Sequence, residues 1–239
     1  MAGRDVRSAV EPFATAVTDA AGDNLFALLV RGSAARGNYD PKRSDVNLVL
    51  ILEDTSAGAL RPLGPAVAKW VKRGQPPPVI FSTLGWKQST DVFPIELEDM
   101  REAHLLIRGE DPFADVSTTP EDTRRELEGE ARGKLLQLRA EYVAAATDGK
   151  VLGALLASSA KTFFVLFRSL LRLRGEPRPE SDGAMVSAVA DLIGFDRAPF
   201  EWAVARHRGD KQRDLAAHDP LGAQYLEAIE AFVAFVDSL

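Results

Sequence analysis

Residues 31–52 read RGSAARGNYDPKRSDVNLVLIL, and the six residues before them, Leu25–Val30, are wholly apolar. An apolar run of strand length therefore ends at Gly32-Ser33. A polar, glycine-containing loop follows, and Asp45 opens a second apolar run, Val46–Leu52. On a strand, side chains two residues apart share a face. Asp45 and Asn47 are thus expected to point the same way, while Val46 and Leu48 enter the core. Glycine lets the backbone pass close to a phosphate, and the Ser33 hydroxyl and nearby amides can bond its oxygens. A helix starting at Ala34 would add its positive end to such a site, and Arg36, Lys42 or Arg43 could reach the same phosphate. A Gly-Ser pair alone is an ordinary turn signal. The acid at the mouth of the next strand changes the reading, because magnesium takes one or two carboxylates together with phosphate oxygens.

Working outward, Val6, Val10, Phe13 and Val17 recur at helical spacing and predict an amphipathic helix over residues 5–21. A second helix is expected over 58–73, ending near Gly74 before Pro76-Pro77-Pro78. Short strands are expected at 79–82, 92–97 and 105–108. A helical turn over 86–90 and a short helix over 100–104 separate them. Pro94 places the 92–97 strand at a sheet edge. After Phe113 the texture changes. Thr119, Pro120 and Asp122 open a helix reaching about residue 147. Residues 151–174 are apolar nearly all round between Phe163 and Leu171, which predicts a helix at the centre of a bundle. Shorter helices at 181–193 and 199–206 and a last one from Asp219-Pro220 complete about five helices. The expected fold class is α+β. Residues 1–117 form a small mixed sheet with flanking helices, and residues 118–239 form an all-helical bundle.

A third candidate is Glu96, between Ile95 and Leu97 in FPIELEDM. A carboxylate inside an apolar strand is costly to bury without a partner, and a metal ion or a substrate hydroxyl would supply one. The alternation Phe93, Ile95, Leu97 fits equally well with Glu96 facing water from an edge strand.

Gly32-Ser33, Asp45 and Glu96 together resemble the nucleotidyltransferase superfamily that includes DNA polymerase beta, and more closely its aminoglycoside and minimal nucleotidyltransferase members. The resemblance covers roughly residues 20–115. In that family a Gly-Ser turn ends the first core strand, an Asp-x-Asp pair on the second strand binds two metal ions, and a third acid on a later strand completes the site or acts as base. The resemblance implies phosphate binding at Gly32 and Ser33, aided by Arg36, and Mg2+ held by Asp45, Asn47 and Glu96. Asp45 and Glu96 would carry the catalysis. It implies a nucleoside triphosphate as one substrate and a hydroxyl-bearing small molecule or protein as acceptor.

Asn47 stands where the second acid belongs, and its amide oxygen is neutral. Two-ion catalysis needs enough negative charge to hold both ions. Two readings stay open: a nucleotidyltransferase working with one metal ion, and a nucleotide-binding regulatory protein without chemistry. The helical half more loosely resembles HEPN domains. That likeness implies a homodimer and a third reading, an RNA-cleaving pair formed by Arg213 and His218. The surrounding charge run is otherwise ordinary solvated surface.

Composition limits the remaining classes. The net charge is −6 and no basic half stands out, so generic nucleic-acid binding is not expected. The chain has no cysteine, which removes thiolate chemistry and agrees with a reducing, cytoplasmic setting. The charged N-terminal stretch does not read as a signal peptide. No run approaches the uninterrupted apolar length of a membrane span, so no membrane contact is expected.

Overall fold

The computed structural model describes residues 2–37 and 45–239. The chain divides into two compact units, Met1–Thr119 and Pro120–Leu239. The first opens with α1 (Ala2–Ala21), which buries Val6, Val10, Phe13 and Val17 as their spacing requires. Four strands follow: β1 (Leu25–Arg31), β2 (Asn47–Leu52), β3 (Val79–Ser82) and β4 (His104–Gly109). They form one mixed sheet in the order β3-β2-β1-β4. β1 runs antiparallel to both β2 and β4, and β2 pairs in parallel with β3.

The central strands are buried on both sides, so they are continuously apolar. One face presents Leu28, Val30, Leu48, Leu50 and Leu52 to Val10 and Phe13 of α1 and to Trp70. Trp70 belongs to α3 (Gly64–Val71), and its indole N–H reaches the Pro76 carbonyl at 3.0 Å. The other face presents Ala27, Leu29, Val49 and Ile51 to Trp86, Leu97, Met100, Phe113 and Val116. Trp86 lies in α4 (Thr83–Lys87). It is fixed by a 2.8 Å bond to the Pro112 carbonyl and by edge contacts with Phe81 and Phe113.

Two expected elements differ. The helix over 58–73 is broken into α2 (Ala57–Leu60), a 3-10 turn at Arg61–Leu63 and α3. Pro62 and Pro65 lack the N–H a continuous helix would use there. The expected strand over 92–97 does not form either. Pro94 instead begins α5 (Pro94–Glu102), which absorbs the start of the helix expected over 100–104. Period-two alternation and a helix both fit a short apolar run. Here Pro94, Ile95, Leu97 and Met100 are buried while Phe93 is 46% exposed, which is a helical face. Proline is favoured at a first helical position, where no N–H is needed. Glu96 is therefore a first-turn helix residue, not a strand residue.

The second unit contains α6 (Pro120–Ala145), α7 (Gly149–Leu173), α8 (Asp182–Ile193), α9 (Ala198–Arg208) and α10 (Pro220–Asp237). Asp148, Ser181 and Asp219 cap α7, α8 and α10 through side-chain oxygens. α7 is long and apolar enough, by length and composition, to cross a membrane, but half of that window is buried within the protein. Its Phe163 and Phe167 meet Phe232 of α10, and Phe167 meets Phe200 of α9. Ser159, on the same helix, bonds the Tyr225 hydroxyl at 2.9 Å, and burial pushes that phenol well above its ordinary pKa.

Asp219 is 4% exposed and does more than cap α10. Its two oxygens take a bidentate pair from Arg213, at 2.5 and 2.8 Å, and it accepts from the amides of Leu221 and Ala216. The Arg213 bond, then these amides, hold its carboxyl far below the usual range against the opposing effect of burial. The folded carboxyl thus binds its proton more weakly than the unfolded one. Its contribution is complete above about pH 4 and is lost as pH falls further. Asp219→Asn should lower the melting temperature at neutral pH, by the equivalent of about 1 kcal/mol or more. It should also flatten the acid limb of a circular-dichroism stability profile.

Candidate active site

β1 ends in the turn that the sequence singles out. Gly32 has φ +74°, the left-handed region that favours glycine, and opens a 3-10 turn over Gly32–Ala34. The Gly32 carbonyl accepts from the amides of Ala35 (3.1 Å) and Arg36 (3.2 Å). The turn closes within three residues, and 35–37 continue as a turn, so no helix starts at Ala34 and no helix dipole adds to the site. Ser33 is exposed.

β2 begins opposite that turn. Arg31 and Asn47 are cross-strand partners, and a side chain at Gly32 would meet the Asn47 amide nitrogen at 3.7 Å. The Gly-Ser turn and Asn47 therefore adjoin. Asp45 lies just before the strand and is exposed, while Val46 is buried and its amide donates to the Gln75 side chain at 2.8 Å. Lys42 and Arg43 lie outside the described residues.

The β1–β2 register also sorts the faces. Leu28, Val30 and Leu48 point to the α1 side, so Arg31, Asn47 and Val49 point to the α5 side. A hollow of about 230 Å³ lies on that side, lined by Arg31, Val49 and Phe81 of the sheet and by Phe93, Glu96 and Leu97 of the α5 segment, among others. The Oε2 of Glu96 and the Nε of Arg31 are both buried there without a hydrogen-bond partner.

Arg36 is committed elsewhere. Its guanidinium pairs with the Asp99 carboxylate at 2.6 Å and donates to the Asp99 carbonyl at 3.1 Å. Both side chains are largely buried, so this pair ties the turn after β1 to α5. Reaching a phosphate would require Arg36 to give it up. Two residues that sequence reasoning passed over thus shape the site, Arg31 and Asp99. Arg31 was legible in principle, as a cation closing an apolar strand with the face parity of Leu29.

As a metal site the arrangement is sparse. Among the described residues no three Asp, Glu or His side chains gather as a metal cluster, and β3 carries no acid. Asn47 lies beside the turn and carries one amide oxygen, and Asp45, exposed two residues before it, would add one carboxylate. That set suits one magnesium ion arriving on a triphosphate, which keeps its own water and phosphate ligands. It does not suit a two-ion clamp, and the Arg31 cation lining the same hollow as Glu96 works against a second ion there.

No protein-family model and no curated protein matches the chain. Among solved structures, the spectinomycin adenyltransferase AAD(9) from Enterococcus faecialis, determined with ATP and spectinomycin, aligns over 93% of this chain and 97% of its own. The TM-score is 0.59 and the identity 14%. The chain has the nucleotidyltransferase fold. At that identity the likeness establishes the architecture: the small mixed sheet with flanking helices, followed by a helical bundle. In the helical unit, Arg213 is engaged by Asp219, and His218 lies in a left-handed turn (φ +57°) with its amide donated to the Ala146 carbonyl. RNA cleavage by that pair would require Arg213 to leave Asp219.

Replacing Gly32 tests the turn directly. A methyl group there meets only the Asn47 amide at ordinary contact distance, so the penalty is conformational. Gly32→Ala should destabilise the protein by about 1 kcal/mol, read from the urea midpoint.

Proposed function

We propose that the protein binds a magnesium–nucleoside triphosphate at the Gly32-Ser33 turn and transfers its nucleotidyl group to a hydroxyl acceptor. The observation that carries this reading is the left-handed Gly32 at the end of β1, set against Asn47 of β2, in a fold shared with an ATP-bound adenyltransferase. Gly32 lets the backbone approach the phosphates and Ser33 donates its hydroxyl to them. Asp45 and Asn47 would hold the accompanying Mg2+, which when bound neutralises charge on the phosphates. Glu96 supplies the base. The acceptor oxygen attacks the α-phosphorus and a new O–P bond forms. The bond from the α-phosphorus to the bridging oxygen of the β-phosphate breaks, and pyrophosphate leaves. The hydroxyl proton passes to the Glu96 carboxylate and then to water. A cytoplasmic setting would supply the nucleotide.

The absence of a three-acid cluster among the described residues supports a second reading, a nucleotide-binding regulator without chemistry. A melting-temperature panel of the four nucleoside triphosphates with and without magnesium tests binding, since a ligand selective for the native state must raise its stability. At a concentration one hundred times the Kd the gain is about 2.7 kcal/mol. Asp45→Ala should abolish the magnesium-dependent part of the shift. No shift with any nucleotide would rule out both readings. With α-labelled ATP, the transferase reading expects a labelled acceptor, formed faster by Asn47→Asp. A shift without labelling, in the wild type and in Asn47→Asp alike, leaves the regulator.

A further inference from the structure

The hollow under the sheet is chemically lopsided. Val49, Val79, Phe81, Phe93, Leu97 and Met100 make nearly all of its wall. Its third polar lining residue, Ser89, bonds the Gly85 carbonyl at 2.6 Å and is spent. That leaves two unsatisfied buried polar atoms, the Arg31 Nε and the Glu96 Oε2. Neither side chain forms an ion pair or side-chain hydrogen bond with another described residue, including each other. The rim is apolar and open, with Val79 41% and Phe93 46% exposed. Arg31 stands in the row of Asn47. The Val49–Val79 pair forms the next row on the same face, and Ile51–Phe81 the one after.

We propose that this hollow binds a small apolar hydroxy acid, and that this molecule is the acceptor of the transfer described above. The inference rests on that transfer for its chemistry and on the hollow alone for binding. Both residues are half-buried, and the one buried oxygen of Glu96 without a donor and the one buried nitrogen of Arg31 without an acceptor are each unfavourable. One ligand relieves both if it carries a hydroxyl for Glu96 and a carboxylate for Arg31. Its body must be hydrophobic, because the rows beyond Arg31 offer only aliphatic and aromatic surface. A polyhydroxylated or multiply cationic acceptor would leave its polar groups unpaired against those walls. Arg31 opposite Asn47 holds the carboxylate end of the ligand at the nucleotide side of the sheet. The hydroxyl, adjacent to that carboxylate, meets Glu96 there and attacks the α-phosphorus, losing its proton to Glu96 as pyrophosphate departs.

Calorimetric titration of the full chain without nucleotide tests the binding half, with 3-phenyllactate as probe. Phenylacetate lacks the hydroxyl and 2-phenylethanol lacks the carboxylate. Each should bind about tenfold or more weakly than 3-phenyllactate, the loss expected for one charge-assisted hydrogen bond. In Arg31→Met, 3-phenyllactate and 2-phenylethanol should bind alike, because the carboxylate has lost its partner. Glu96→Leu should raise the ligand-free melting temperature, since it removes an unpaired buried acceptor, whereas a merely structural Glu96 would lower it. Equal binding of all three probes, or discrimination surviving in Arg31→Met, overturns the hollow as the site. Absence of 3-phenyllactate binding at millimolar concentration does so too, even where a nucleotide shift leaves the proposed function standing. Binding of 3-phenyllactate without its labelling from α-labelled ATP overturns the acceptor role.

Discussion

The antiparallel register between β1 and β2 is the constraint on which the rest of the first unit depends. It sets Arg31 opposite Asn47 and Val30 opposite Leu48. Strand side chains alternate faces, so this one choice sends Leu28, Val30, Leu48 and Leu50 toward α1 and Trp70. It sends Arg31, Asn47 and Val49 the other way. A slip of β2 by one residue would drive Asn47 into the α1 core and turn Leu48 and Leu50 to the α5 face. The burial of that aliphatic set thus holds the polar residues of the site in place. Gly32 completes the arrangement, because its left-handed backbone turns the chain back over Asn47 rather than letting β1 run on.

The two faces of the sheet are finished differently. The α1 face is closed by tight aliphatic and aromatic packing, with Trp70 bonded to a carbonyl at its edge. The α5 face is closed only in part. Trp86 and Phe113 pack one end of it, and the Arg36–Asp99 pair anchors α5 to the turn after β1. Between these fixed points a hollow remains, with one buried nitrogen of Arg31 and one buried oxygen of Glu96 left without a hydrogen bond on its lining. Well-packed interiors seldom leave such atoms unsatisfied. Stability given up at one place, while the surrounding core is well packed, is the pattern expected of a binding site. Around Asp219, by contrast, an inaccessible carboxylate has its guanidinium and two amides all in place.

Much of this was legible before any coordinates. Helical spacing exposed the buried face of α1, and the apolar runs at 25–30 and 46–52, the second broken only by Asn47, read as buried strands. Capping and breaking residues marked α6, α7, α8 and α10. The misreading at 92–97 has a definite cause. Phe93, Ile95 and Leu97 satisfy period two as well as a helix does, and proline suits an edge strand and a first helical turn alike. Only the burial of Ile95 and the packing of Leu97 and Met100 against the sheet separate the two. That error moved Glu96 from a strand to the first turn of α5, although either placement leaves it beside apolar neighbours. Asp99 escaped notice because nothing local distinguishes it, and Arg31 because its place at the end of an apolar strand does not reveal what it faces. Their roles come from partners and surroundings tens of residues away.

Taken by itself, the chain determined its two-part architecture, the Gly-Ser turn between two buried strands, and the placing of Asp45 and Asn47 two residues apart at the mouth of the second. Each of these is written in composition, periodicity or a residue's own backbone preference, which neighbours in sequence suffice to express. Only the tertiary structure decided that Arg36 is bound by Asp99, that Asn47 lies against Gly32, and that Arg31 and Glu96 share one hollow without pairing. Those facts depend on which strand lies beside which, on the face each side chain takes, and on where a helix from far along the chain comes to rest. Long-range packing alone sets them, because burial energy is collected from many residues at once and no short segment contains it.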